Sequence, residues 1–202
     1  MLEFLRNKRI LVVVAHPDDE VIGLGSTINK LVNNYNCFVK CLILGEGITA
    51  RDKNRDIEKR KKELEIHKSN IFSSKKIIGY QEIATYDFPD NRFDTVPLLD
   101  IVKLVEKEKT LFSPDIIFTH HGGDLNIDHQ LTHDSVITAT RPLKSERVTS
   151  IITFETFSGT EWQASNHPKM FRPNFFVEIS KEELEIKKQA MDCYEFEKRE
   201  YP

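Results

Sequence analysis

Ile10-Leu11-Val12-Val13-Val14-Ala15-His16-Pro17-Asp18-Asp19-Glu20-Val21-Ile22-Gly23 decides how the chain is read. Ile10 to Val14 are all aliphatic, which predicts a strand buried on both faces, as in a parallel sheet covered by helices on each side. Pro17 has no N–H to offer a sheet ladder. The strand therefore ends at His16, and Pro17 to Glu20 form a loop at its carboxyl end. Val21, Leu24, Ile28, Leu31 and Val32 then share one helical face. In open α/β sheets, ligands bind in the crevice beyond the strand carboxyl ends. Three carboxylates crowded there beside an imidazole repel one another unless a positive charge joins them, and a divalent cation supplies it.

Further along the chain, strands and helices alternate. Phe38 to Leu44 reads as a second strand, ending at Gly45-Glu46-Gly47. Thr49 or Asp52 is expected to cap a highly charged helix that runs to about Ser69, with Ile57, Leu64 and Ile71 as a thin apolar seam. Lys75 to Gly79 is a short strand candidate, and Tyr86 to Phe93 reads as loop. Pro97 opens a helix with Thr95 as its N-cap, followed by the stripe Leu98, Ile101, Val102 and Val105. Pro114 to His120 is another buried strand ending in histidine. Asp128 to about Thr140 is helical, and Val148 to Glu155 is a strand. Phe175 to Ile179 is read as an edge strand, and Ser180 to Glu183 as a capping box opening a last helix with Leu184, Met191 and Tyr194 inward. The expected fold is α/β: a Rossmann-like, mostly parallel sheet flanked by helices, in one domain over residues 1–202. The first turn lacks the glycine fingerprint of dinucleotide binding. His16 to Asp19 put carboxylates where a pyrophosphate needs N–H groups, so a nucleotide cofactor is disfavoured.

Composition narrows the classes. At 202 residues the chain can bury a real core, and a net charge of −3 gives no electrostatic reason to expect nucleic acid. The Lys/Arg/Glu run from Glu58 to Glu65 reads as a solvated helix face. The N-terminus lacks the apolar core of a signal peptide, and no stretch approaches the ~20 apolar residues of a membrane span. Cys37, Cys41 and Cys193 form no CxxC pair, so a reduced, cytoplasmic setting is expected, with Cys37 and Cys41 as small buried hydrophobes. His67 and His167 are read as ordinary surface residues.

Ala15-His16-Pro17-Asp18-Asp19-Glu20 after a hydrophobic strand, together with His121-Gly122-Gly123 and the later Asn126-Ile127-Asp128-His129, resembles the PIG-L, or LmbE-like, family of zinc-dependent N-acetylglucosaminyl deacetylases. The resemblance covers Ile10 to about Tyr194. It implies that His16, Asp19 and His129 hold one zinc ion, with iron(II) as the alternative where metal supply overrides intrinsic affinity. Two imidazoles and one carboxylate leave a coordination position open, as in catalytic rather than structural sites. It further implies that Asp18 is the general base, and that the substrate is a small N-acetyl sugar, sugar nucleotide or glycolipid that gives up acetate. Asn126 stands where many members carry a histidine. It can donate a hydrogen bond but no proton at neutral pH, so either Asp18 makes both proton transfers or His121 or His133 substitutes. Asp128 loses the partner it has in the family and is left to hold the loop.

Arg51 resembles a family arginine that contacts substrate; the alternative is a surface ion pair with Asp52. Trp162 could stack on a sugar face or plug the core, and the plug is slightly favoured. Many relatives are expected to continue beyond Pro202. A homo-oligomer is compatible with the sequence but not fixed by it. Two rival functions stay open. One is a metal-dependent amidase or esterase for a non-sugar substrate. The other is a non-catalytic, metal-containing carbohydrate-binding protein. The free carboxylate of Asp18 favours catalysis.

Overall fold

The computed structural model describes residues 2–157 and 159–197. Its core is a five-stranded, all-parallel sheet in the order β3-β2-β1-β4-β5. The strands are β1 (Arg9–Val14), β2 (Phe38–Gly45), β3 (Glu82–Phe88), β4 (Ile116–His120) and β5 (Ser150–Phe154). The helices are α1 (Asp19–Tyr35), α2 (Ile57–Ile78), α3 (Leu98–Phe112), α4 (Ile127–Ala139) and α5 (Lys181–Asp192). This is the expected Rossmann-like α/β arrangement.

Strand β1 lies at the centre and shows why its sequence is apolar at every position. Ile10, Val12 and Val14 point into the layer formed with Val21, Leu24, Ile28 and Leu31 of α1, together with residues of α2 and α5. Leu11, Val13 and Ala15 point into the opposite layer with Ile101, Val102 and Val105 of α3 and Val136 and Ala139 of α4. Alternate residues of one strand thus feed two cores. Chain order runs outward from β1 to β3 on one side and resumes with β4 on the other. The switch point therefore lies between the carboxyl ends of β1 and β4, where a crevice must open.

Several boundaries differ from expectation. Helix α2 is capped by Asp56, whose side chain accepts from the Lys59 N–H, and not by Thr49 or Asp52. It runs on through Lys75–Ile78, the expected short strand, because Lys75 and Lys76 suit a helix C-terminus and Gly79 closes it at φ 94. The third strand is β3, which takes in Tyr86 to Phe88 of the expected loop. Pro97 is itself the cap residue of α3, and Thr95 closes a 3-10 turn before it. Phe175–Ile179 does not join the sheet: Phe175 and Val177 pack on the α1-side core, and β5 forms the edge. The capping box of α5 is present in both directions. Tyr194 is buried, whereas Leu184 is exposed, because Glu183 takes the inward position at that turn. Cys37 and Cys41 are buried as expected. No helix among the described residues is long and apolar enough to cross a membrane.

Candidate metal centre

The loop after β1 and the loop after β4 meet at the switch point. His16 leaves β1, and Asp19 opens α1, where its Oδ2 accepts the His16 N–H at 2.8 Å. His129 comes from the first turn of α4. His16 Nδ1 lies 3.5 Å from Asp19 Oδ2, and His129 Nε2 lies 3.3 Å from Asp19 Oδ1. One donor atom from each of the three buried residues falls within 4.8 Å of the others. Each remaining ring nitrogen faces a further carboxylate. His16 Nε2 bonds Asp128 Oδ2 at 2.9 Å, and His129 Nδ1 sits 3.1 Å from Asp124 Oδ2, close but poorly angled for a hydrogen bond. A carboxylate behind each imidazole fixes which nitrogen faces the centre, the arrangement that orients histidine ligands on metals. Three converging donors of this chemistry, each with its orienting group, fit a divalent zinc-type ion.

Electrostatics supports the same picture. Burial alone would push both imidazoles toward neutrality. Asp128 and Asp19 overcome this and hold His16 well above its ordinary value. Asp19 and Asp124 similarly raise His129 to about 9. Burial also opposes ionisation of Asp19, but the charge of His129, with the His120 ring beside it, holds it well below the usual range.

Asp18 is the helix N-cap residue but makes no capping bond, and its φ of 99 is costly for a residue with a Cβ. Its buried carboxyl faces the crevice and is pushed up by burial, then by Asp19, Glu197 and Glu20. A divalent ion alongside acts in the opposite direction. Asn126 caps α4: its Oδ1 accepts the Asp128 N–H, and its amide donates to Asn91 Oδ1. Asp128 is not left to hold a loop alone; besides His16 it binds the Phe93 N–H at 2.9 Å. Arg51 does not pair with Asp52, which is taken by Lys59 and Arg60. Its guanidinium instead donates to Glu197 at 2.5 Å and to the Phe196 carbonyl at 2.9 Å. Neither His121 nor His133 lines the crevice. Trp162 is no core plug: it is 60% exposed and forms part of the crevice wall. The crevice is about 580 Å³.

Several residues at the centre were not singled out from sequence, His120 and Asp90 among them. His120 ends β4, stacks on His129 with ring centroids 3.8 Å apart, and accepts the Ala15 N–H at Nε2. Burial, then the neighbouring His129, lowers it to about 4, so it is a neutral wall. A histidine ending the strand next to β1 was a visible signal. Asp90, 3.5 Å from His16 Nε2, sits in the loop after β3; the proximity comes from packing alone.

Comparison with known proteins adds the family. A profile of the PIG-L family, described as GlcNAc-PI de-N-acetylase, matches residues 11–140, which carry His16, Asp18, Asp19, Asn126 and His129. The chain belongs to the PIG-L family. Among relatives, it is 29% identical to the diacetylchitobiose deacetylase of Thermococcus kodakarensis over 93% of this chain and 69% of that one. Among solved structures, the N,N'-diacetylchitobiose deacetylase of Pyrococcus horikoshii superposes with a TM-score of 0.73 at 20% identity, over 96% of this chain and 72% of that one. The 4-carboxy-2-hydroxymuconate hydratase of Pseudomonas putida superposes with a TM-score of 0.69 at 18% identity, over 94% and 80%. A hydratase on the same frame shows that the PIG-L fold leaves the reaction to be argued from the site. Phe157, Trp162, Phe196 and Glu197 of the crevice wall lie beyond the matched PIG-L span.

Proposed function

We propose that the protein is a metal-dependent N-deacetylase that removes acetyl from an N-acetylated amino sugar or its conjugate and releases acetate. The convergence of His16, Asp19 and His129 beside the uncommitted carboxyl of Asp18 carries this reading. Family membership and the diacetylchitobiose deacetylase relative support the substrate class. His16, Asp19 and His129 would hold zinc, with iron(II) as the alternative. When bound, such an ion supplies Lewis-acid polarisation of an amide carbonyl and makes water more acidic.

The chain's own groups do the rest. Asp128 and Asp124 hold the two imidazoles in place. Asp18 lies beside the ligand set without belonging to it, so its carboxylate takes the proton as water attacks the acetyl carbon. We assign the same carboxyl, now protonated, the proton that goes to the leaving amine. The Asn126 amide, released from Asn91, is the candidate donor to the developing oxyanion. Arg51 is assigned to substrate contact. We assign the chain one catalytic domain that works in the cytoplasm.

The test is acetate release by metal-loaded protein from a panel of N-acetyl sugars, with and without chelator, alongside Asp18→Asn. Turnover lost with chelator, and an Asp18→Asn protein that keeps its metal but loses roughly 10²–10⁴ in kcat, is the expected result. An active Asp18→Asn protein would remove the base. Bound zinc with no acetate from any sugar would favour a non-sugar amide or ester, or a binding protein.

A further inference from the structure

We infer that the crevice selects an uncharged N-acetylhexosaminide, whose sugar ring or aglycone lies against Trp162, and that it rejects phosphorylated sugars and sugar nucleotides. This rests on the deacetylase reading above and narrows its substrate class.

Charge comes first. With the acetamido group at the ligand set, a phosphate elsewhere on the substrate must find its counter-charge in the crevice walls. Among the described residues lining it, Arg51 is the one lysine or arginine. Its guanidinium already donates to Glu197 Oε1 at 2.5 Å and to the Phe196 carbonyl at 2.9 Å. The other charged wall groups, outside the ligand imidazoles, are Asp18, Asp19, Asp90 and Glu197, all acids. Lys187 stands beside the wall, 5.6 Å from the Phe157 ring centroid, but its ammonium donates to the Ile22 carbonyl. Against the described wall, with the ion at the ligand set engaged by the acetamido group, an anionic substrate meets one cation, Arg51, already paired with Glu197, and otherwise like charges, a built-in repulsive element. A neutral glycan meets neither cost.

The attractive side is aromatic. Trp162 and Phe157 are 60% and 59% exposed, yet both belong to the crevice wall. Large aromatic faces held open to water at the mouth of a polar site mark a binding surface. The C–H face of a pyranose is apolar and carries weakly positive hydrogens, which complement the negative face of an aromatic ring. Trp162 therefore acts as a specificity platform and Glu197 as the gatekeeper of Arg51.

The chain has a single tryptophan, so its fluorescence reports directly on this wall. Metal-loaded protein is titrated with N,N'-diacetylchitobiose and, separately, with N-acetylglucosamine 1-phosphate. The disaccharide should shift the emission and bind at least about tenfold more tightly than the phosphate. Glu197→Gln, by freeing Arg51, should narrow that ratio several-fold, and Trp162→Ala should weaken the disaccharide about tenfold by calorimetry. Equal or tighter binding of the 1-phosphate, or a disaccharide that binds without perturbing Trp162, overturns the proposal. Binding is read without turnover. Selective binding with no acetate release would remove the deacetylase reading and leave the selectivity standing; acetate release at equal rates from both compounds would do the reverse.

Discussion

His67 shows how much a single residue can depend on its surroundings. It lies on α2 but faces inward, with its ring against Tyr194 at 5.6 Å and Phe196 at 6.3 Å, and among the described residues neither ring nitrogen finds a hydrogen-bond partner. Gly47, at φ 75, passes so close that a Cβ there would meet Pro17 at 2.7 Å and His67 Nε2 at 3.1 Å. Burial, with the charges of Arg51 and His16 adding to it, lowers the imidazole to about 4. Its unfolded value is about 6.5, so between the two the unfolded chain binds the extra proton. Stability from this group is therefore intact above pH ~6.5 and is lost as pH falls toward ~4, by up to about 3 kcal/mol. Urea unfolding of wild type and His67→Gln should show this as a difference between the proteins that changes across that window. A difference that stays constant with pH would mean that the buried ring is not held neutral.

Among the elements, α5 depends most clearly on a local device. Ser180 Oγ accepts the Glu183 N–H at 3.2 Å, and Glu183 Oε2 accepts the Ser180 N–H at 2.6 Å. Glu183 also binds Lys30 of α1 at 3.2 Å, and its carbonyl accepts Ser26 Oγ at 3.0 Å. The cap thus ties the helix both to itself and to α1. It also places Tyr194, just past the helix, to donate to Glu20 Oε1 at 2.6 Å directly behind the ligand loop. Ser180→Ala should cost about 1 kcal/mol and lower Tm by about 2–4 °C. Glu183→Ala, which also removes the Lys30 pair, should cost more. Thermal melts that rank Ser180→Ala as the worse of the two would show that the inter-helix contacts carry nothing.

For the molecule as a whole, the proposed metal centre would couple folding to pH. In the metal-free state His129 is raised to about 9 from an unfolded value near 6.5, so its contribution is complete below pH ~6.5 and disappears as pH rises through ~9. A bound cation replaces those protons, and its binding tightens as they leave. Chelation should therefore lower Tm by more at about pH 8.5 than at about pH 6, and metal uptake near pH 7 should release protons into a weakly buffered solution. A chelator effect that shrinks with rising pH would contradict the assigned ligands. The apolar run Ile10–Val14, the turn at Pro17 and the periodicity of α1 and α3 were enough to specify the alternating α/β order, because strand and helix periods are local properties of sequence. The proposed ligands His16, Asp19 and His129 sit in short motifs at the ends of predicted strands, and the fold brings one donor atom of each within 4.8 Å of the others. Tertiary structure decided the rest. It buried His67, a polar residue at a core position, and let α2 run past the expected strand at Lys75. It brought Asp90 and His120 to the centre, gave Asp128 to His16, turned Trp162 outward, and closed Glu197 on Arg51. Each of these depends on contacts between segments far apart in the chain, which no local pattern encodes.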